Sequence, residues 1–129
     1  MIEYNLIPIS EKYFDFVREL RTCDENVNGF IEQVQITSEQ QNDYMLKHGH
    51  NYYICLYNNE PVGFVGVIDN DIRVATEPKF KKLGVGKFMI NEIIKIYPNA
   101  KAKIKVDNLA SLNLFKTCGF QIEFLILKK

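Results

Sequence analysis

Residues 76–87 read Thr76-Glu77-Pro78-Lys79-Phe80-Lys81-Lys82-Leu83-Gly84-Val85-Gly86-Lys87. An apolar run ends here, Pro78 stops it, two spaced glycines follow, and a helical pattern begins at once. The residues predict a strand, a tight loop and a helix N-terminus. A helix N-terminus carries unpaired N–H groups and a partial positive charge, so it receives phosphate well. A phosphorylated ligand gripped at this loop is the first expectation.

Downstream, Val85, Phe88, Met89, Ile93, Ile94 and Ile96 lie on one side of a helix that ends near Pro98-Asn99. Residues 103–106 are predicted as a short strand. Leu109, Leu112, Leu114 and Phe115 predict another helix, capped by Asp107 or Asn108 and stopped by Gly119 in a left-handed conformation. Residues 120–127 are predicted as a last, strongly apolar strand.

Upstream, Tyr4, Leu6 and Ile9 come near alternation and predict a first strand over residues 2–9. Ser10 is a good N-cap, and Tyr13, Phe14, Phe16, Val17 and Leu20 form a helical stripe to about Arg21. Residues 24–35 are weakly patterned, with a short helix expected around Phe30-Ile31. Thr37 with Gln40 three residues later resembles a capping box, opening a helix over 38–47 that ends at Gly49. Residues 52–57 and 61–68 are β-rich, with Asn58-Asn59 as a tight turn between them. Gly63 and Gly66 imply bulging or close backbone approach. Asp69-Asn70-Asp71 turns into a third β-run, residues 72–75. The order β-α-α-βββ-α-β-α-β predicts one α/β domain over residues 1–129, a mixed, mostly antiparallel central sheet with helices packed on it.

The 129 residues, 47% hydrophobic and 25% charged, fit one domain with a core and exclude a disordered chain. No apolar run reaches the roughly 18 residues of a membrane helix, and the first residues do not read as a signal peptide. Cys23, Cys55 and Cys118 are far apart and odd in number, which is neither a disulfide framework nor a metal-site spacing. A reducing cytoplasm, no membrane and no metal are expected. Net charge is zero, yet residues 1–71 carry 4 Lys+Arg against 12 Asp+Glu, and residues 72–129 carry 12 against 4. A basic half around a phosphate loop suits a polyanionic ligand. The lysines are not interleaved with aromatics on one face, so no nucleic-acid partner is expected. A P-loop is excluded because Phe88 follows Lys87 where Ser or Thr is required.

Residues 74–89 resemble the acetyl-CoA loop of the GNAT superfamily of N-acetyltransferases. The family pattern is a strand ending Val-x-Pro, an aromatic, then Arg/Gln-x-x-Gly-x-Gly and an amphipathic helix. Here it reads Thr76-Glu77-Pro78, Phe80, then Lys81-Lys82-Leu83-Gly84-Val85-Gly86. The second family pattern reads here Val106, Asn108, Ser111, Leu114-Phe115 and Gly119-Phe120. The resemblance covers nearly the whole chain.

The resemblance implies acetyl transfer from acetyl-CoA to a primary amine by direct attack, without metal. It implies cofactor contacts from Val74, Ala75, Thr76, Lys81, Lys82, Leu83, Gly84, Val85, Gly86, Lys87, Asn108, Ser111 and Phe115. Gly84 and Gly86 would let the backbone close on a pyrophosphate. Lys81 replaces the usual Arg or Gln, keeping charge but losing the two-pronged fork. A splay is expected between residues 72–76 and 103–106, with the 74–76 backbone pairing the pantetheine arm. Lys116 would reach the adenosine end.

For the chemistry, the amide of Ala75 or Thr76 is the candidate oxyanion donor. Asp71, or Asp69, is the candidate base, with His48 and His50 as further titratable neighbours. The family's acidic tyrosine is Phe115 here, so Tyr52, Tyr53 or Tyr97 would have to serve, or water; Cys118 is read as packing. Residues 21–50, with Glu32 and Gln33, shape the acceptor site. Their acidic residues Asp24, Glu25, Glu32, Glu39 and Asp43 favour a cationic amine. The Phe-x-x-Leu-Arg helix and Ile36–Gln41 also resemble members that acetylate nucleotide-linked amino sugars. Polyamines, amino acids, protein N-termini and a non-catalytic coenzyme A module are the alternatives. Residues 124–127 show no alternation, so both faces call for burial. A homodimer partner, or continuation into another domain, is expected to cover that edge.

Overall fold

The computed structural model describes residues 3–22 and 37–129. Strand β1 (Tyr4–Pro8) leads through a single 3-10 turn, Glu11–Tyr13, into helix α1 (Phe14–Thr22). Helix α2 (Ser38–His48) is followed by β2 (Tyr52–Tyr57), β3 (Glu60–Ile68) and β4 (Asp71–Thr76). A 3-10 turn at Pro78–Phe80 precedes α3 (Val85–Ile96), and α4 (Leu109–Thr117) closes the fold. The helix expected around Phe30-Ile31 lies outside the described residues. No helix among the described residues is long and apolar enough to cross a membrane.

The sheet order is β1-β2-β3-β4, antiparallel throughout. Both hairpins turn through paired left-handed residues, Asn58-Asn59 and Asp69-Asn70. That geometry matches the strand twist, and short Asn and Asp side chains tolerate it. The pairing slips between Cys55 and Leu56, so Val62 is the extra residue of a bulge in β3. Gly63 follows it, and a Cβ there would sit 2.8 Å from the Ala75 carbonyl oxygen and from Met89 Cε.

Helices cover both faces. Phe14, Val17 and Leu20 of α1 and Met45 of α2 pack with Tyr52, Ile54, Leu56, Phe64, Ile68 and Ala75. Val85, Met89, Ile90 and Ile93 of α3 and Phe115 of α4 pack with Cys55, Val62, Val65, Val67 and Ile72 on the other face. Thr37 and Gln40 form the reciprocal capping box, at 3.0 and 3.1 Å. Ser10 makes no side-chain cap; its carbonyl instead accepts from the Tyr13 N–H, because the chain enters α1 through the tighter turn.

Two predicted strands are corrected. Residues 103–106 form no ladder; just before them Lys101 makes an isolated parallel bridge with Asp71, and no further bridge to β4 follows among the described residues. Residues 120–127 join no strand among the described residues, since nothing beyond β4 offers an edge to pair with. Phe120 instead returns to α4: its N–H donates to the Phe115 carbonyl at 3.0 Å, and the two rings meet edge-on at 5.1 Å. Phe124, Leu125, Ile126 and Leu127 are left exposed.

Candidate functional site

The loop between β4 and α3 is built from left-handed residues. Lys82 has φ 68° and Gly84, the N-cap of α3, has φ 87°. Nothing lies within 4 Å of where a Gly84 Cβ would stand, so the approach to the α3 N-terminus is open. Gly86 has a different reason. A Cβ there would meet Leu114 Cδ2 at 2.8 Å, so this glycine lets α4 pack on α3. Lys81, Lys82 and Lys87 are exposed, and among the described residues they form no ion pair. The Tyr4 hydroxyl donates to the Leu83 carbonyl at 2.6 Å and ties the loop to β1. The rings of Phe88, Tyr4, Tyr57 and Phe80 run beneath it, with centroids 5.5 to 6.2 Å apart.

The open edge of β4 adjoins this loop. The Ile72 N–H donates outward to the Lys101 carbonyl at 2.8 Å, and the Glu77 N–H donates inward to Val62 at 2.8 Å. Strand alternation therefore turns the N–H groups of Val74 and Thr76 to the open edge and that of Ala75 toward β3. Beyond Asp71↔Lys101 no further bridge joins β4 to the following segment among the described residues. These residues fit an elongated ligand with a phosphate end: helix dipole and lysines at one end, strand N–H groups along the other.

Asn108 caps α4, its Oδ1 accepting from the Ser111 N–H at 3.2 Å, which leaves its amide nitrogen as a donor. Phe115 is buried. Asp71 lies 3.9 Å from Arg73 Nε, at the start of β4; Asp69 stands in the turn with φ 52° and is exposed. His50 is exposed in the 3-10 turn before β2. The His48 side chain, Glu32 and Gln33 lie outside what is described. The Tyr97 hydroxyl reaches Asn51 Oδ1 at 3.5 Å, and burial, then Tyr53, raises its pKa. Burial pushes the Cys55 thiol up to about 12, and burial outweighs Lys87 in raising Cys118. No group of three or more His, Cys, Asp or Glu that would hold a metal stands together among the described residues.

On the α1–α2 face lies a group the sequence did not reveal. Tyr52, Gly66 and Arg73 share one row across β2, β3 and β4. A Gly66 Cβ would sit 2.6 Å from the Tyr52 ring, so glycine there lets the ring lie flat across β3. The Tyr52 and Tyr44 hydroxyls are 2.8 Å apart, Arg73 Nη1 donates to Tyr44 at 3.2 Å, and the Arg21 guanidinium stands over the Tyr44 ring at 5.4 Å. Burial works against the charge of Arg73, but the two tyrosines and Asp71 outweigh it and raise its pKa. The row is visible only once strand register is known. On the same face, a cleft of about 390 Å³ runs between α1 and the 77–80 turn.

Comparison with known proteins agrees with this geometry. The profile of the Acetyltransferase (GNAT) family matches residues 14–120. A domain from Methanocaldococcus jannaschii superposes with TM-score 0.81 at 20% identity, covering 94% of this chain and 90% of that one. Spermidine N-acetyltransferase from Vibrio cholerae, solved with CoA and spermine, gives 0.85 at 15% identity, covering 98% and 85%. A GNAT-family acetyltransferase from Streptococcus pneumoniae gives 0.72 at 16%, covering 95% and 87%. Comparison with curated proteins finds no match. With the sequence profile spanning α1 to Phe120 and the glycine loop beside an open β4 edge, the chain belongs to the GNAT family of acetyl-CoA-dependent N-acetyltransferases.

Proposed function

We propose that the chain moves the acetyl group of acetyl-CoA to a primary amine of a small molecule by direct attack. The open β4 edge beside the Gly84 loop carries this reading. Bound acetyl-CoA supplies an activated thioester. The chain's own residues hold it: the N–H groups at the start of α3 with Lys81, Lys82 and Lys87 at the pyrophosphate, and the outward backbone of Val74 and Thr76 along the pantetheine. Val85, Gly86, Asn108, Ser111 and Phe115 support that path by packing and capping. The Thr76 amide, or that of Val74, is the proposed donor to a carbonyl oxygen at which negative charge develops. Asp71, at the start of the same strand, is the proposed proton acceptor for the amine.

The sequence leaves the acceptor as an amino sugar on a nucleotide, a polyamine of the kind found in the Vibrio cholerae neighbour, an amino acid or a protein N-terminus. The Arg73 group favours the first. The exposed Phe124–Leu127 stretch is proposed to be covered by a second copy of the chain, and a reducing cytoplasm is the proposed setting.

The test is release of free coenzyme A from acetyl-CoA across an amine panel, with Gly84→Trp as the blocked control. Turnover by the native chain and none by the variant is expected. Absence of acetyl-CoA binding, by calorimetry and by thermal protection, overturns the reading.

A further inference from the structure

We infer that the acceptor carries an anionic group, a carboxylate or a phosphate, beside its amine, and that Arg73 binds it. This rests on the acetyl-transfer reading above. Arg73 sits on β4 between Ile72 and Val74, next to the edge whose N–H groups face outward. Its side chain lies on the α1–α2 face, because it shares a row with Tyr52, which belongs to that core. The opposite face at this edge is filled by Ala100, Ala102, Ile104, Leu114 and Phe115 packed with α3. Helices also cover the Arg73 face, but the Arg73 side chain stays partly exposed beside the edge, so the acceptor's approach is placed on that side.

The guanidinium is positioned rather than floating. Tyr44 takes Nη1 at 3.2 Å, Tyr52 braces Tyr44 at 2.8 Å, and Gly66 gives the Tyr52 ring its place. The tyrosine phenols are neutral, so they fix the arginine without cancelling its charge. Asp71, its ion-pair partner among the described residues, is 3.9 Å from Nε, beyond hydrogen-bond length. Arg21 adds a second guanidinium on the Tyr44 ring. Arg73 brings a fixed positive charge here, offset in part by Asp71. The Arg73 side chain remains 36% exposed, so a ligand oxygen can reach the guanidinium fork. An aliphatic polyamine would be repelled by the same arrangement.

Binding to the coenzyme A-loaded protein separates this from the catalytic reading. O-phosphoethanolamine is compared with ethanolamine, and glycine with glycinamide, by calorimetry on native chain, Arg73→Gln and Arg73→Lys. A charge-assisted contact predicts that each anionic amine binds at least about tenfold tighter than its neutral partner. Arg73→Gln should erase that difference and leave the neutral amines and coenzyme A unchanged, while Arg73→Lys keeps part of it. Preference for phosphate over carboxylate identifies which anion the site takes. Should Arg73→Gln not fold, Tyr44→Phe leaves the charge in place but unbraced, and a loss of a few fold confined to the anionic amines is expected. Equal binding of anionic and neutral amines, tighter binding of spermidine, or equal losses for every amine in Arg73→Gln overturns the inference. Anion preference without coenzyme A release from any amine would instead overturn acetyl transfer.

Discussion

The Tyr4 hydroxyl donates to the Leu83 carbonyl across 79 positions of sequence, at 2.6 Å. Leu83 stands between left-handed Lys82 and left-handed Gly84, so its carbonyl direction helps set where the following N–H groups point. Tyr4→Phe keeps the ring packing against Phe88 and Tyr57 but loses that bond. A neutral hydrogen bond contributes about 1 kcal/mol, so acetyl-CoA affinity should fall about fivefold. Acceptor KM should stay constant. Calorimetry with acetyl-CoA checks this; unchanged affinity would show that the latch is not needed for the loop.

The two loop glycines should respond differently. Gly84→Ala meets open space but keeps φ 87°, which costs a residue with a Cβ about 1 to 2 kcal/mol. Gly86→Ala instead meets Leu114 Cδ2 at 2.8 Å. Adding Leu114→Val should recover stability in the Gly86 variant and none in the Gly84 variant. Denaturant unfolding of the single and double variants reads this coupling directly.

Val74 on the open edge offers a test of the backbone path. Proline is tolerated at an edge strand where the N–H faces outward. Val74→Pro should therefore fold, with a melting temperature near that of the native chain, yet bind acetyl-CoA at least about tenfold more weakly. Native affinity in a folded Val74→Pro protein would remove this amide from the cofactor site.

Alkaline pH should destabilise the protein through Cys55. Its thiol pKa is raised from 9.0 to about 12 by burial, so the folded state holds the proton that the unfolded state has released. The stabilisation is complete below pH 9 and is lost as pH rises toward 12, with a slope of about 1.4 kcal/mol per pH unit. Tyr52, raised by burial and by Tyr44, adds to the loss above pH 10. Cys55→Ala should flatten the curve between pH 9 and 10, as followed by urea midpoints.

The exposed apolar stretch predicts association. Leu125, Ile126 and Leu127 are 73, 84 and 89% exposed, with Phe124 beside them. Sedimentation at micromolar concentration should find a dimer, and Leu125→Lys with Leu127→Lys should find a monomer. A native monomer that stays soluble would refute the covering copy.

The parts of the fold written in local chemistry were legible. Thr37 with Gln40, the two asparagine and aspartate turns, Asn108 as a cap and Gly119 as a left-handed stop each act over three or four residues. The apolar spacing from Val85 to Ile93 likewise fixed α3. What failed was long-range. Residues 103–106 and 120–127 have strand-like composition, but a strand needs a partner, and sequence does not say where the sheet stops. Gly86, read as letting the backbone close on a ligand, also makes room for Leu114, 28 positions away in another helix. The Tyr4 latch, the Arg73 group and the part Tyr52 plays in it escaped notice for the same reason: each comes from a register, and no spacing along the chain encodes it.

The unfinished side of β4 makes the co-substrate part of the architecture. Among the described residues β4 ends the sheet and makes one isolated bridge on its outer side, and on the reading proposed above the pantetheine arm would take the place of a further strand. Folding and acetyl-CoA supply are then one equilibrium, worth about 2.7 kcal/mol when the ligand stands a hundredfold above Kd. In a cell, the amount of this protein would follow the metabolic state that fills its edge, rising when acetyl groups are plentiful and turning over faster when they are scarce.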